Sequence, residues 1–179
     1  MGAAMEGTAL FVCDLQESFR SRIPDFSGVV EATRIMIEAC THLGVRAVVV
    51  SEQYPVGLGR TVREIVDAAD SAESGAVLVV PKTSFSMCGV PAVMEHARRR
   101  VGKLKHVILC GIEAHACIYQ TARDLIAQGL LVTILVDAVA SQRDTERAVA
   151  FSRLSTVGCK LSTVEMCLLE MVWQFFLYV

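Results

Sequence analysis

The sequence predicts an α/β protein with three layers, α-β-α, built on a doubly wound, six-stranded and mostly parallel sheet. Three observations lead there. Short apolar runs alternate about six times with segments whose apolar residues recur at helical spacing, and the connections are short. Runs such as VRAVVV are too continuously apolar for a strand with one wet face, as expected of strands covered by helices on both sides. Asp14, Lys82 and Cys117 each follow a predicted strand, and open α/β sheets place their sites at those ends.

The elements follow in order. Residues 8–13 read as the first strand, ending in DLQESF from Asp14, and residues 24–27 as a loop. The apolar spacing predicts a helix over 29–43, closed by Gly44 where a C-terminal cap needs a left-handed residue. Residues 45–50 give the second strand, and the long loop after it carries one proline and two glycines. A weak helix over 61–69 leads to a third strand at 76–80 and the Lys82 loop, PKTSFS; a basic-ended helix spans 89–101. The fourth strand is 107–110, with Gly111 turning the backbone closely and a helix over 118–128. A fifth strand over 130–136 ends at Asp137, a helix covers 143–156, and a sixth strand covers 159–161. Ser162 with Glu165 three residues on reads as a capping box for a final helix. The aromatic tail, with Trp173, Phe175, Phe176 and Tyr178, either packs back on the domain or forms a subunit interface.

Composition bounds the function. At 179 residues the chain suits one domain, 1–179; a formal net charge of -2 offers no general electrostatic case for nucleic acid. Seven scattered cysteines without CxxC spacing point to a reducing compartment and give no structural-zinc pattern. No run reaches membrane-spanning length, and the N-terminus lacks a secretory signal. Cytoplasm is the expected location, with a mitochondrial form as the alternative.

Cys117 has the features of a nucleophile. It opens a helix, where unpaired backbone N–H groups favour a thiolate, and its turn, GIEAHA, is not an apolar packing segment. Cys13, Cys40, Cys110 and Cys167 read as small core residues; Cys88 and Cys159 stay unassigned. Asp14 is the candidate base and Lys82 the fixed positive charge. A structural Asp14–Lys82 ion pair beside an inert cysteine is the alternative.

These residues carry a family resemblance. Asp14 and Gln16 with Phe19 beyond, Lys82 in KTSFSM and Cys117 in GIEAHAC occur in order over nearly the whole chain, which resembles the isochorismatase-like cysteine hydrolases, particularly the eukaryotic isochorismatase domain-containing proteins. The resemblance implies a triad in which Cys117 attacks a carbonyl, Asp14 shuttles the proton and Lys82 polarises both. It also implies a cis bond between Ile112 and Glu113, an oxyanion hole from the N–H groups of Glu113 and Cys117, and a homo-oligomer. Gln16, Phe19, Glu52, Tyr54, Phe85 and His115 are the expected substrate-pocket residues.

The departures narrow the activity. Nicotinamidases carry an Asp and two His after the second strand; this chain has Glu52, Gln53, Tyr54 and Pro55, so no metal and no cofactor is expected. Arginines to hold a dicarboxylate are lacking near the mouth, where only Arg60 and Arg143 fall. The resulting expectation is a metal-free cysteine hydrolase of a small amide or related carbonyl compound, acting through a Cys117 thioester. Its partners are a small-molecule substrate, with no nucleic acid and no membrane. The alternative is an inactive binding or scaffolding protein; nicotinamidase, isochorismatase and ribonuclease activities rank below both.

Overall fold

The structure, a computed structural model, describes the backbone of residues 5–177 and the side chains of residues 5–173. Six strands, β1 (Thr8–Cys13), β2 (Val48–Gln53), β3 (Val77–Lys82), β4 (His106–Ile112), β5 (Leu131–Ala140) and β6 (Lys160–Ser162), form one parallel sheet in the order β3-β2-β1-β4-β5-β6. β1 is buried along its whole length, with Leu10 and Phe11 at the centre of the core. On one face pack α1 (Phe26–His42), α3 (Arg63–Asp70) and α7 (Val164–Leu177); α4 (Pro91–Val101), α5 (Tyr119–Ala127) and α6 (Asp144–Thr156) cover the other. One short turn, α2 (Pro55–Leu58), lies beyond β2. The expected three-layer, doubly wound architecture is the one observed.

This strand order fixes where chemistry can occur. The chain winds outward from β1 to β3, then returns to β4 and winds the other way, so the two connections leaving β1 and β4 diverge to opposite faces. A crevice opens between them at the carboxyl ends of the strands. Asp14 follows β1 at that crevice, and the turn carrying Cys117 follows β4.

Several boundaries move, each for a local reason. β2 begins at Val48 and runs through the polar residues Ser51, Glu52 and Gln53, because neighbours on both sides supply ladder partners: Cys13 pairs with Ser51, and Gln53 with Lys82. β3 accordingly includes Pro81 and Lys82; a proline is tolerated because β3 is an edge strand. Gly44 does cap α1: its φ is +79°, and the Val45 N–H returns to the Cys40 carbonyl at 2.9 Å. Gly111, by contrast, is not a turn residue. It lies within β4 at φ +112°, and a Cβ there would stand 2.0 Å from the Cys13 carbonyl oxygen. The side chain is missing so that β4 can close on β1.

β5 is longer than expected, and Asp137 lies inside it. Between Leu109–Ile134 and Gly111–Val139 the register shifts, so β5 carries extra residues there. The Asp137 carboxylate accepts from the Val164 N–H at 3.0 Å, and the Thr163 hydroxyl accepts from the Met166 N–H at 3.2 Å. These two residues cap α7, whereas Ser162, the expected cap, is the last residue of β6. Of the tail, Trp173 is exposed, in line with Met166 and Leu169 on one helix face; the side chains of Phe175 and Phe176, and Tyr178 entirely, lie outside the described residues. Among the described residues, no helix is long and apolar enough to cross a membrane.

Candidate active site

Asp14 is placed by its backbone. With φ at +54° it breaks the alternation of β1, so that its carboxylate and the Cys13 thiol turn into the same space, although neighbouring strand residues ordinarily face opposite ways. Its N–H donates to the Ser51 carbonyl at 3.1 Å, which anchors it across β2. The Ser51 hydroxyl then donates to Asp14 Oδ1 at 2.7 Å, and Lys82 Nζ lies 2.8 Å from Oδ2. Both charged side chains are out of water, at 0% exposure for Lys82 and 2% for Asp14. A buried ion pair persists only if its remaining protons and lone pairs are also partnered.

Lys82 meets that condition fully. Besides Asp14, its ammonium reaches Gln53 Oε1 at 2.5 Å, the Phe85 carbonyl at 3.1 Å, the Ser84 carbonyl at 3.2 Å and Cys117 Sγ at 3.4 Å. Burial opposes the charged form, but the acidic groups of Cys13, Asp14 and Cys117 outweigh it and the Lys82 pKa is raised. The group therefore stays a cation throughout the neutral range.

Cys117 arrives from the far side of the crevice. After β4 the peptide bond Ile112–Glu113 is cis, and residues Ala114–Ile118 form a π-helical turn that runs into α5. The Glu113 carbonyl accepts from the Ala116 and Ile118 N–H groups, while its carboxylate accepts from the N–H and side-chain amide of Gln142. Glu113 is thereby held at both ends. The ligating atoms of Cys13, Asp14 and Cys117 all lie within 4.8 Å of one another. Three such donors resemble a metal site, but the Lys82 ammonium already supplies the positive charge that a cation would bring, and a second one would be repelled.

The expected pocket residues divide. Gln16 is fully buried and its amide is spent on the chain: Nε2 donates to the carbonyls of Gln53 and Gly59, and Oε1 accepts from the Gln53 N–H. The buried Glu52 carboxylate takes the Thr61 N–H and hydroxyl and the Arg60 guanidinium. Its partners outweigh the burial that would raise it, and its pKa is lowered. Both residues clamp the loop after β2 and offer a ligand nothing. Phe19 packs against the core at half burial. Tyr54 and Phe85 are exposed, and His115, also exposed, contacts the Ser141 hydroxyl through Nδ1 at 3.1 Å.

Sequence reasoning missed Ser51, Gln53 and Cys13. The first two share one face of β2 and Glu52 lies on the other, so the period-two rule would have found them once the strand was extended to residue 53. Cys13 gave no such signal, because only the left-handed backbone at Asp14 brings it into the cluster.

A doubly wound parallel sheet with a buried Asp–Lys pair and a cysteine at its switch point defines a protein of the cysteine-hydrolase type. Residues 8–166 match the isochorismatase domain, and the chain belongs to that family. It is 41% identical over 169 residues to isochorismatase domain-containing protein 2 of Danio rerio, covering 93% of this chain and 80% of that protein. Isochorismatase domain-containing protein 1 of the same fish is also 41% identical, over 165 residues; they are 92% of this chain but 55% of that protein, so this chain spans about half of its length. Among solved structures, the MAR1 ribonuclease of Caenorhabditis elegans superposes with a TM-score of 0.85 at 40% identity, covering 96% of this chain and 84% of that one. Bacillus subtilis nicotinamidase shares the fold at a TM-score of 0.73 and 16% identity, over 87% of this chain and 99% of that one.

Proposed function

We propose that the protein is a metal-free cysteine hydrolase of a small amide or related carbonyl compound, acting through a thioester on Cys117. The observation that carries this reading is the Lys82 ammonium, buried and shared between Asp14 Oδ2 at 2.8 Å and Cys117 Sγ at 3.4 Å. A purely structural ion pair needs no thiol at its third corner.

In this reading Asp14 accepts the Cys117 proton and the sulfur attacks the carbonyl carbon. The N–H groups of Glu113 and Cys117 take the oxyanion. Asp14 then gives its proton to the departing amine, leaving an acyl-enzyme. Water, deprotonated by Asp14, cleaves the thioester, and the carboxylic acid leaves as the thiol is restored. Lys82 does not transfer a proton; it holds the carboxylate and thiolate together and keeps their charges tolerable out of water. Tyr54, Phe85 and His115 stand exposed on the connections after β2, β3 and β4 and would meet the substrate. Assembly as a homo-oligomer belongs to the same proposal, and light scattering on the intact chain tests it.

The experiment is an amide panel with acid quench and intact mass spectrometry on wild type, Cys117→Ala and Asp14→Asn. Turnover with an acyl adduct on Cys117, lost in Cys117→Ala, supports the reading. The ribonuclease description of the worm relative supplies the competing arm, single-stranded RNA. RNA cleavage that survives Cys117→Ala, with no amide turnover, would replace the proposal.

A further inference from the structure

Acyl transfer uses one thiol, yet the site holds two. All seven cysteines are free, and Cys13, fully buried, has its sulfur within 4.8 Å of that of Cys117. It is not packed as an inert core group. Its Sγ donates to Asp14 Oδ2 at 3.4 Å and lies 3.7 Å from the Ser51 hydroxyl oxygen, so it shares the nucleophile's base and contacts the residue that anchors that base.

We propose that Cys13 is a resolving thiol, and that a hydroperoxide converts Cys117 and Cys13 into a reversible disulfide that switches the site off. The proposal rests on Cys117 being the reactive thiolate of the hydrolase reading. First Asp14 takes the Cys117 proton and the sulfur attacks the terminal oxygen of the hydroperoxide: an S–O bond forms, the O–O bond breaks, and the departing alkoxide takes that proton from Asp14 to leave as an alcohol, which frees the carboxylate again. Cys117 is now a sulfenic acid. Next Asp14 takes the Cys13 proton, the Cys13 sulfur attacks the sulfenyl sulfur, the S–S bond forms and the S–O bond breaks. The hydroxide leaves as water with the proton held on Asp14. Two thiols lose two electrons in all, and the hydroperoxide is reduced to an alcohol and water.

The order of events follows from the surroundings. Burial holds the Cys13 thiol well above its ordinary pKa, and the hydrogen bond and negative charge of Cys117 push it in the same direction. Cys13 therefore waits as a neutral thiol while Cys117 reacts. Burial and the Asp14 charge still act, but conversion of Cys117 to a neutral sulfenic acid removes the share that Cys117 contributes, and Asp14, 3.4 Å from the Cys13 sulfur, is placed to take the proton. The two sulfurs already lie within 4.8 Å of each other and must close to about 2.05 Å for the bond to form.

The test is peroxide titration of the intact native protein, read by non-reducing peptide mapping and by iodoacetamide labelling of Cys117 before and after dithiothreitol. Wild type should lose two hydrogens in mass, give a Cys13–Cys117 linked peptide, and lose Cys117 labelling until it is reduced. In Cys13→Ser and Cys13→Ala the linked peptide should vanish, and Cys117 should pass to sulfinic acid with labelling that reduction does not restore. Rapid Cys117 labelling together with a sulfinic acid product in wild type, or a link to another cysteine, would overturn the proposal and leave the hydrolase reading standing. A Cys117 that labels no faster than the other thiols would overturn both. Should either variant misfold, the wild-type map still decides.

Discussion

Replacing Lys82 with methionine keeps the length of the side chain and removes its charge, leaving Asp14 buried without a cation. At 2.8 Å the attraction between the two is about 6 kcal/mol at an effective dielectric of about 20, which offsets the cost of drying both ions. Loss of one partner of such a pair costs about 3 to 5 kcal/mol, because the survivor is left uncompensated. For a chain of this size that lowers the melting temperature by roughly 10 °C. Asp14→Asn in the same background should recover more than half of the loss, since no charge is then buried alone. There is also a pH signature. The raised Lys82 pKa contributes stability that is fully present below its ordinary value of 10.5 and is lost as pH rises through the higher folded value. Urea unfolding from pH 7 to pH 11 on wild type, Lys82→Met, Asp14→Asn and the double variant reads both effects. A Lys82→Met cost below about 1 kcal/mol, or a double variant no better than the single, would refute the assignment of Lys82 as the compensating charge.

Three further predictions follow from the same contacts. Ser51→Ala removes a 2.7 Å hydrogen bond to a buried carboxylate and should cost about 1.5 to 3 kcal/mol in urea unfolding, whereas Ser51→Thr should retain most of it. Glu52, with its pKa lowered, contributes stability present above its ordinary value of 4.5 and lost as pH falls through the folded value; amide exchange over 53–61 should quicken on acidification, and Glu52→Gln should show that faster exchange already at pH 7. Gly111→Ala places a Cβ 2.0 Å from the Cys13 carbonyl and should cost more than about 3 kcal/mol, seen as loss of soluble protein or a sharply lowered melting temperature.

Much of the fold was legible because a parallel sheet buried on both faces writes itself as apolar runs, and the first five strands were recognised by such stretches near their true places. What escaped was the polar end of β2 and β3. Ser51 to Gln53 and Lys82 look like loop residues by composition and are strand residues by pairing, which is a tertiary fact. The three principal site residues were legible one at a time because each stands past the apolar run of a strand. Their meeting at one ammonium depends on strand order, and no local pattern encodes that. Gln16 and Glu52 show the opposite error. Polar residues beside a site were read as ligand contacts, when the loop after β2 needed them as internal partners. The Ser162 capping box failed for a related reason, because Asp137, remote in sequence, and Thr163 took the α7 N–H groups.

The most direct test of the account is the rate of iodoacetamide modification at each cysteine at pH 8, read by mass spectrometry in wild type, Lys82→Met and Asp14→Asn. Burial pushes the thiols of Cys88, Cys159 and Cys167 up to about 11 and that of Cys110 to about 12, so about one part in a thousand or less of each is thiolate at that pH. Cys117 should be modified first and alone, and losing Lys82 should slow its modification about tenfold or more. Modification of Cys117 no faster than of these buried thiols, and unchanged by either substitution, would contradict the claim that Asp14, Lys82 and Cys117 form one reactive site.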